Sequence, residues 1–228
     1  MPVTEETRTK AREIIARYPR PRSALLPMLH LVQAEEGYIT PDGIGLCVEE
    51  LGLTRAEVGA VATFYTMYKR GPTGEYLVSV CTNTLCGLLG GDEIYATLRE
   101  YLGVGHNETT DDGMITLEHA ECLAACDHAP VVTVNYEYFD NQSEESAVRL
   151  VDDLRAGTPP RPTRGAPLCG FREISRQLAG FLDERPEARD AVSIAEPGLA
   201  GLRLAVERGE RAPEYPEATL ATTERKEA

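Results

Sequence analysis

Residues 78–94 read VSVCTNTLCGLLGGDEI, and this stretch decides the fold. The run 75–80, EYLVSV, is rich in β-formers and predicts a strand that leads directly into Cys81. Gly90, Gly91 and Asp92 then open a helix with Ile94, Leu98 and Leu102 on one face. The stretch therefore predicts a β-α unit in which the strand ends at a cysteine.

The next part of the chain repeats the arrangement of a strand followed by a cysteine. A strand over 114–120 leads into Cys122, within the string EHAECLAACDHAPVVTVN at 118–135. A third strand is expected over 131–139, with a tight turn at Asp140-Asn141, and Ser143 caps a final helix through Leu154. The order β-α-β-β-α predicts an α/β domain with a small mixed sheet over 73–157.

The first third of the chain has helical patterns and no strand pattern. Helices are expected over 4–18, from a cap at Ser23 to Gly37, and from Pro41 to Leu51. Thr54 with Glu57 forms a capping box that opens a fourth helix, expected to extend to Tyr68. Residues 1–72 are therefore predicted to form a small helical bundle.

Residues 158–228 form a Pro-rich arm with two apolar stretches, FREISRQLAGFL and GLAGLRLAV. Phe171, Ile174, Leu178, Phe181 and Leu182 fall at helical spacing, which predicts a helix. Two arrangements fit this pattern: a helix that docks on a partner, and a helix folded back on the chain's own bundle. Partial disorder of the arm is a third expectation.

Composition excludes several classes of protein. The chain has 228 residues with 23 Lys and Arg against 37 Asp and Glu, a net charge of −14, which disfavours nucleic acid and anionic lipid as partners. No apolar run approaches the length of a membrane span, and the polar start predicts neither a signal nor a transit peptide. A cytoplasmic, reducing location is expected, where cysteines serve as metal ligands more often than as disulfides.

The two cysteine pairs carry the chemistry. Cys81 and Cys86 follow one predicted strand, and Cys122 and Cys126 follow another, so that four thiolates meet at one sheet edge. Four thiolates suit a two-iron, two-sulfide cluster, and they also suit a structural zinc ion. A thioredoxin-type dithiol would need Cys-x-x-Cys, which is absent from the sequence, and a Rieske centre would need two histidine ligands.

The other candidate residues have structural interpretations. Cys47 lies in an apolar helix pattern, Cys169 has no partner at ligand spacing, and His128 is read as a loop histidine near the site. The sequence contains neither a G-x-G-x-x-G motif after a strand nor a Walker loop, so no nucleotide site is expected. The chain on its own is expected to have no substrate site.

The two cysteine strings, together with ATFYTMY at 62–68, resemble the thioredoxin-like [2Fe-2S] ferredoxin subunit of NADH dehydrogenase modules. This family includes the peripheral subunit of respiratory complex I (the NuoE type) and its counterparts in NAD-linked formate dehydrogenases and hydrogenases. The resemblance covers roughly residues 4–157 and implies an α+β chain whose second domain is thioredoxin-like with a four-stranded type of mixed sheet. It also implies that Cys81, Cys86, Cys122 and Cys126 hold the cluster, although the family commonly has glycine where this chain has Ala124.

The resemblance further implies a function. The cluster would accept an electron from a flavin (FMN) reduced by NADH, both held by a partner flavoprotein subunit of NADH:quinone oxidoreductase, in a complex associated with the cytoplasmic side of the membrane. The equivalent subunit of a soluble formate dehydrogenase or hydrogenase is the near alternative. A zinc-stabilised interaction module and a thiol oxidoreductase are alternatives from other classes, and metal content and thiol reactivity distinguish them.

Overall fold

A computed structural model describes residues 4–191 and 198–212 of the chain. The chain divides into two compact units, Met1–Ser193 and Ile194–Ala228, and all elements below except the last lie in the first unit. The helices are α1 Glu5–Ala16, α2 Leu25–Glu36, α3 Pro41–Leu51, α4 Arg55–Phe64, α5 Thr84–Leu88, α6 Gly91–Leu102, α7 Glu144–Arg155, α8 Phe171–Leu178, α9 Pro186–Arg189 and, in the second unit, α10 Ala200–Glu207. The strands are β1 Tyr76–Cys81, β2 Glu108–Thr109, β3 Ile115–Ala120, β4 Val132–Val134 and β5 Glu137–Phe139.

The first four helices begin and end largely where the sequence predicts. Thr4 and Thr40 cap α1 and α3 with their side chains, and Thr54 with Glu57 completes the capping box of α4. Gly37 ends α2 in the left-handed conformation, which glycine adopts without steric cost. Met28, Leu29, Leu46 and Val58 are among the fully buried side chains of a core that these helices share.

Two of the predicted helix limits are wrong. Ser23 lies inside a short 3₁₀ turn, Pro21–Ala24, and α2 begins after it without a side-chain cap. The helix α4 ends at Phe64 because Tyr65 takes an extended conformation, so Tyr68 lies in the linker to the sheet. There the Tyr68 ring is 4.8 Å from that of His30, and its hydroxyl donates to the Leu26 carbonyl at 3.0 Å.

The sheet is mixed, as predicted, but has five strands in the order β2-β3-β1-β4-β5. Strands β1 and β3 are parallel, and the other three neighbouring pairs are antiparallel. The predicted continuous third strand is wrong: Asn135 and Tyr136 both have positive φ (47° and 70°) and turn it into the hairpin β4–β5. The expected turn at Asp140-Asn141 comes after that hairpin and leads to α7.

One face of the sheet is covered by two helices. Alternate residues of β1 such as Val78 and Val80 pack against α6 and α7, which supply Leu98 and Val151 to the same core. The opposite face is more polar and includes Ser79, Thr116, Glu118 and Thr133. The part of the chain that contains the sheet therefore has helices on one face of the sheet and a polar cavity on the other.

Of the two arrangements open for the helix of the arm, the structure has the folded-back one. Helix α8 packs along α2 of the bundle, with Phe171, Ser175 and Ala179 buried. The Gln33 side-chain amide in α2 donates to the Ser175 hydroxyl at 3.3 Å. Docking of the arm on a partner stays a prediction, and Leu182 beyond the helix is 83% exposed.

Candidate functional site

The candidate site lies at the carboxyl ends of β1 and β3. Because these two strands are parallel neighbours, their ends meet at the same edge of the sheet. Cys81 is the last residue of β1 and pairs with Ala120, the last residue of β3, so Cys122 follows only two residues later. The topology therefore brings the two cysteine loops together, as the sequence predicts.

The first loop holds Cys81 and Cys86 in the protein interior. Both residues are 3% exposed. Cys86 is the third residue of the short helix α5, which begins at Thr84. Gly91 starts α6 directly behind them, where an added Cβ would lie 2.4 Å from the Cys81 carbonyl oxygen and 2.8 Å from that of Cys86. Only glycine permits this approach of helix and loop.

The second loop presents Cys122 and Cys126 at the surface. Their sulfur atoms are 3.9 Å apart, and the Ala124 amide donates to Cys122 Sγ at 3.3 Å. Ala124 has a φ of +57°, in the left-handed region that glycine adopts most readily. A glycine would take this conformation without strain, whereas Ala124 adopts it at a steric cost.

Several hydrogen bonds tie the two loops to each other and to the sheet. Asn83 in the first loop donates to the Glu121 carboxylate at 2.9 Å, and the Cys81 amide donates to the Val131 carbonyl at 3.0 Å. The Tyr138 hydroxyl on β5 donates to the Leu123 carbonyl in the second loop at 3.0 Å. The four cysteines thus belong to one connected framework of backbone and side chains.

Two of the four thiols favour the protonated state. Burial and the neighbouring Cys81 thiol raise the pKa of Cys86 to about 11, and the hydrogen bond with Cys122 raises the pKa of Cys126. The nucleophile of a thiol oxidoreductase needs a lowered pKa, so Cys86 and Cys126 do not fit that role. A bound metal reverses the preference, because thiolates bind it and their protons are released.

The donor set fits a metal centre with two thiolates on each metal ion. Tetrahedral coordination with bonds of about 2.3 Å separates two sulfurs by roughly 3.8 Å, and Cys122 and Cys126 match that separation at 3.9 Å. Cys81 and Cys86 lie in one loop, both 3% exposed, and would form the second pair. Within residues 4–191 and 198–212, no group of three or more His, Cys, Asp or Glu side chains is placed to hold one metal ion.

The other cysteines and His128 lie where the sequence predicts. Cys47 is fully buried in α3, where burial raises the pKa of its thiol to about 12. Cys169 precedes α8, and burial raises its pKa to about 11. His128 is the buried last residue of the 3₁₀ turn Cys126–His128, with Nε2 3.8 Å from the Asp127 carboxylate.

A cavity of about 590 Å³ lies between the linker 65–71 and the polar face of the sheet, and it reaches Cys122. A buried ion pair joins Lys69 to Glu118, and Ser79 donates to Glu118 at 2.6 Å. The Tyr136 hydroxyl is buried without a hydrogen-bond partner among the described residues. The sequence predicts neither these polar residues of the cavity nor the contact made by Tyr138. No local pattern links these residues to partners far along the chain.

Comparisons with known proteins agree with the geometry. A family model described as thioredoxin-like [2Fe-2S] ferredoxin matches residues 11–155, more than half of the chain. The E subunit of NADH-quinone oxidoreductase from Mycobacterium tuberculosis (strain ATCC 25618 / H37Rv) is 63% identical over 206 residues, which are 90% of this chain and 81% of that protein. NADH-quinone oxidoreductase subunit 2 of Thermus thermophilus is 40% identical over 64% of this chain and 82% of its own length.

A solved structure shares the fold. A chain of the NAD+-reducing [NiFe]-hydrogenase in the air-oxidized state matches with a TM-score of 0.53 at 18% identity. The match covers 59% of this chain and 23% of the hydrogenase chain, and at this identity it shows likeness of fold alone. Among the described residues, no helix is long and apolar enough to cross a membrane.

Proposed function

The chain belongs to the thioredoxin-like [2Fe-2S] ferredoxin family, and on this basis we propose that it is the electron-transfer subunit of an NADH:quinone oxidoreductase. Relatives named as the E subunit of NADH-quinone oxidoreductase are 63% identical over 90% of the chain. The chain also spans 81% of their length, so the resemblance covers most of both proteins. The protein is thus a subunit of a multisubunit oxidoreductase.

The observation that carries the proposal is the meeting of two thiol pairs at one sheet edge. Cys81 with Cys86 and Cys122 with Cys126 would each hold one iron of a [2Fe-2S] cluster. When bound, such a cluster takes up and gives up one electron at a time. Fold topology alone brings the pairs together, since they are separated by 35 residues between Cys86 and Cys122.

The surrounding residues would set the properties of that centre. The Ala124 amide, which donates to Cys122 Sγ, would stabilise negative charge on the sulfur and raise the reduction potential. Cys81 and Cys86 are buried, while Cys122 and Cys126 are exposed, so the site opens on one side only. The exposed pair marks the side from which a redox partner can approach.

The partner would supply the chemistry that this chain lacks. The sequence has no nucleotide-binding motif, so NADH and FMN would bind to a flavoprotein subunit that delivers single electrons to the centre. We propose that the assembled complex lies at the cytoplasmic side of the membrane.

The hydrogenase and formate dehydrogenase alternative has weaker support. The likeness to the NAD+-reducing hydrogenase rests on 18% identity, whereas the likeness to the quinone oxidoreductase relatives rests on 63%. The subunits that co-purify with the tagged chain from its own host test the assignment. A quinone-reactive membrane complex supports it, and a soluble complex containing a hydrogenase or formate dehydrogenase subunit contradicts it.

Replacement of single cysteines tests the ligand set. Serine at each of Cys81, Cys86, Cys122 and Cys126 should lower the iron content or change the EPR spectrum of the reduced protein, because a ligand is lost or exchanged. Cys169→Ser is the matched control, since Cys169 lies in the arm and contacts Gln177 at 3.5 Å. Unchanged iron and EPR spectra in any of the four variants would remove that residue from the proposed set.

A further inference from the structure

The segment after α7 returns to the sheet beside the second cysteine loop. Arg164 forms an isolated β-bridge with Tyr138 on β5, and the Thr163 amide donates to the Tyr138 carbonyl at 2.8 Å. The segment thereby covers part of the outer edge of β5, the last strand of the sheet. Residues 163–164 belong to the arm, to which the family resemblance assigns no role.

A buried ion pair fixes this contact. Arg164 forms a two-pronged salt bridge with Asp140, with Nε to Oδ2 at 2.9 Å and Nη2 to Oδ1 at 3.0 Å. The Asp140 side chain is 4% exposed and that of Arg164 is 16% exposed. The Thr163 hydroxyl lies 2.8 Å from Asp140 Oδ2, so the carboxylate is well satisfied. Pairs of this geometry hold both side chains in one orientation.

The same arginine fixes the Tyr138 ring. The Arg164 guanidinium lies over the ring with 4.1 Å from Cζ to the ring centroid, a distance typical of cation–π contact. The ring packs against the small hydrophobic cluster formed by Cys81, Cys86, Ala125 and Val131. Its position is therefore set from one side by the arm and from the other by the core around the cysteines.

The hydroxyl of this fixed ring holds the second cysteine loop. Tyr138 Oη donates at 3.0 Å to the carbonyl of Leu123, the residue between Cys122 and the left-handed Ala124. The peptide that begins at this carbonyl ends at the Ala124 amide, which donates to Cys122 Sγ. Both ends of one peptide group are thus held, one by Tyr138 and the other by the Cys122 sulfur.

We propose that Arg164 and Tyr138 are positioning residues, through which the arm holds the Cys122–Cys126 loop in its metal-binding shape. The inference rests on the proposed function, because it concerns how the chain holds the [2Fe-2S] centre. Loss of the Tyr138 hydroxyl frees the Leu123 carbonyl, so the peptide before Ala124 can rotate. Rotation changes the hydrogen bond to Cys122 Sγ, and with it the electronic environment of the centre.

The test compares Tyr138→Phe with Tyr101→Phe in the full-length protein. Both changes delete one tyrosine hydroxyl. The Tyr101 hydroxyl donates to Asp152 on α7 at 2.7 Å, and Tyr101 lies at the end of α6 that is remote from Gly91 and the cysteine loops. Tyr138→Phe should speed iron release to a chelator about fivefold, the effect of one lost hydrogen bond. It should also shift the EPR g values and the reduction potential, which a purely structural role would leave unchanged.

A second pair of variants tests the part played by the arm. Arg164→Lys keeps the charge but loses the two-pronged bridge and the stacking, so it should shift the same readouts in the same direction. Arg12→Lys is its control, because Arg12 forms a two-pronged bridge with Glu50 at 3.0 Å in the helical bundle. If Arg164 acts through Tyr138, the double variant should release iron more slowly than the product of the two single effects predicts.

The outcomes separate this inference from the proposed function. The inference alone would be overturned if the wild type binds iron while Tyr138→Phe has the same EPR spectrum and iron-release rate as Tyr101→Phe. A shift in Tyr138→Phe with none in Arg164→Lys would overturn the role of the arm. Wild-type protein without iron would overturn the proposed function, and the inference with it.

Discussion

Gly91→Ala tests whether α6 has to pack directly against the two buried cysteines. The added methyl group would lie 2.4 Å from the Cys81 carbonyl oxygen, 0.6 Å inside the 3.0 Å below which real Cβ contacts are essentially never found. The Cys86 carbonyl oxygen, at 2.8 Å, blocks a second direction. Both obstacles are backbone atoms, so the methyl group can be accommodated only if the cysteine loop or the helix start moves.

The cost of that movement can be put at about 2–3 kcal/mol, the upper part of the range for overpacked interiors. For a chain of this length such a loss lowers Tm by roughly 4–12 °C. Because the displaced atoms belong to proposed ligand residues, iron content should fall as well. Gly59→Ala is the control, since Gly59 lies in α4 with open space around the added methyl group. Equal Tm and iron content in the two variants would refute the reasoning.

The remaining predictions concern the core, the arm and the loop. Burial lowers the pKa of His30 from 6.5 to about 4, so below pH 6.5 the unfolded chain takes up a proton that the folded chain resists. The free energy of unfolding should therefore fall by up to about 3 kcal/mol as the pH drops from 6.5 to 4. His30→Phe should reduce this fall, as measured by urea unfolding across the same pH range. An unchanged dependence of stability on pH in the variant would contradict the prediction. Phe171→Ala should lower the free energy of unfolding by about 3–5 kcal/mol, because Phe171 is 1% exposed at the start of α8. Leu182→Ala, at an exposed position, should change urea unfolding little. Equal effects of the two changes would mean that α8 does not pack as described. Ala124→Gly should keep the iron and raise the free energy of unfolding by less than about 1 kcal/mol, because relief of the left-handed strain is partly offset by greater freedom of the unfolded chain. A marked loss of stability would show that the +57° conformation costs alanine nothing.

Local signals account for the parts of the fold that sequence predicted. Neighbouring residues specify three of these features: the capping box at Thr54, the glycine that ends α2, and the strands that lead into cysteines. The convergence of the cysteine pairs also follows from sequence, because two parallel strands that end in cysteines bring those ends to one edge. The fold class and the identity of the candidate residues were therefore within reach.

The errors occurred where distant contacts override local patterns. The run 131–139 reads as one strand, yet Asn135 bonds to Leu77 and Glu75 on neighbouring segments and turns the chain into a hairpin. The helix of the arm has apolar residues that fit either a partner or the chain's own bundle, and only the tertiary structure shows that it packs against α2. Tyr138 and Leu123 are likewise 15 residues apart, without a motif that connects them.

The identity of the metal centre is tested most directly by one measurement on anaerobically purified protein. Iron, acid-labile sulfide and zinc are determined per chain, and an EPR spectrum is recorded after reduction with dithionite. About two irons and two sulfides per chain, with a rhombic or axial signal from the reduced protein, are the expected result. One zinc ion without sulfide would contradict the electron-transfer function and leave the four thiols as ligands of a structural metal site.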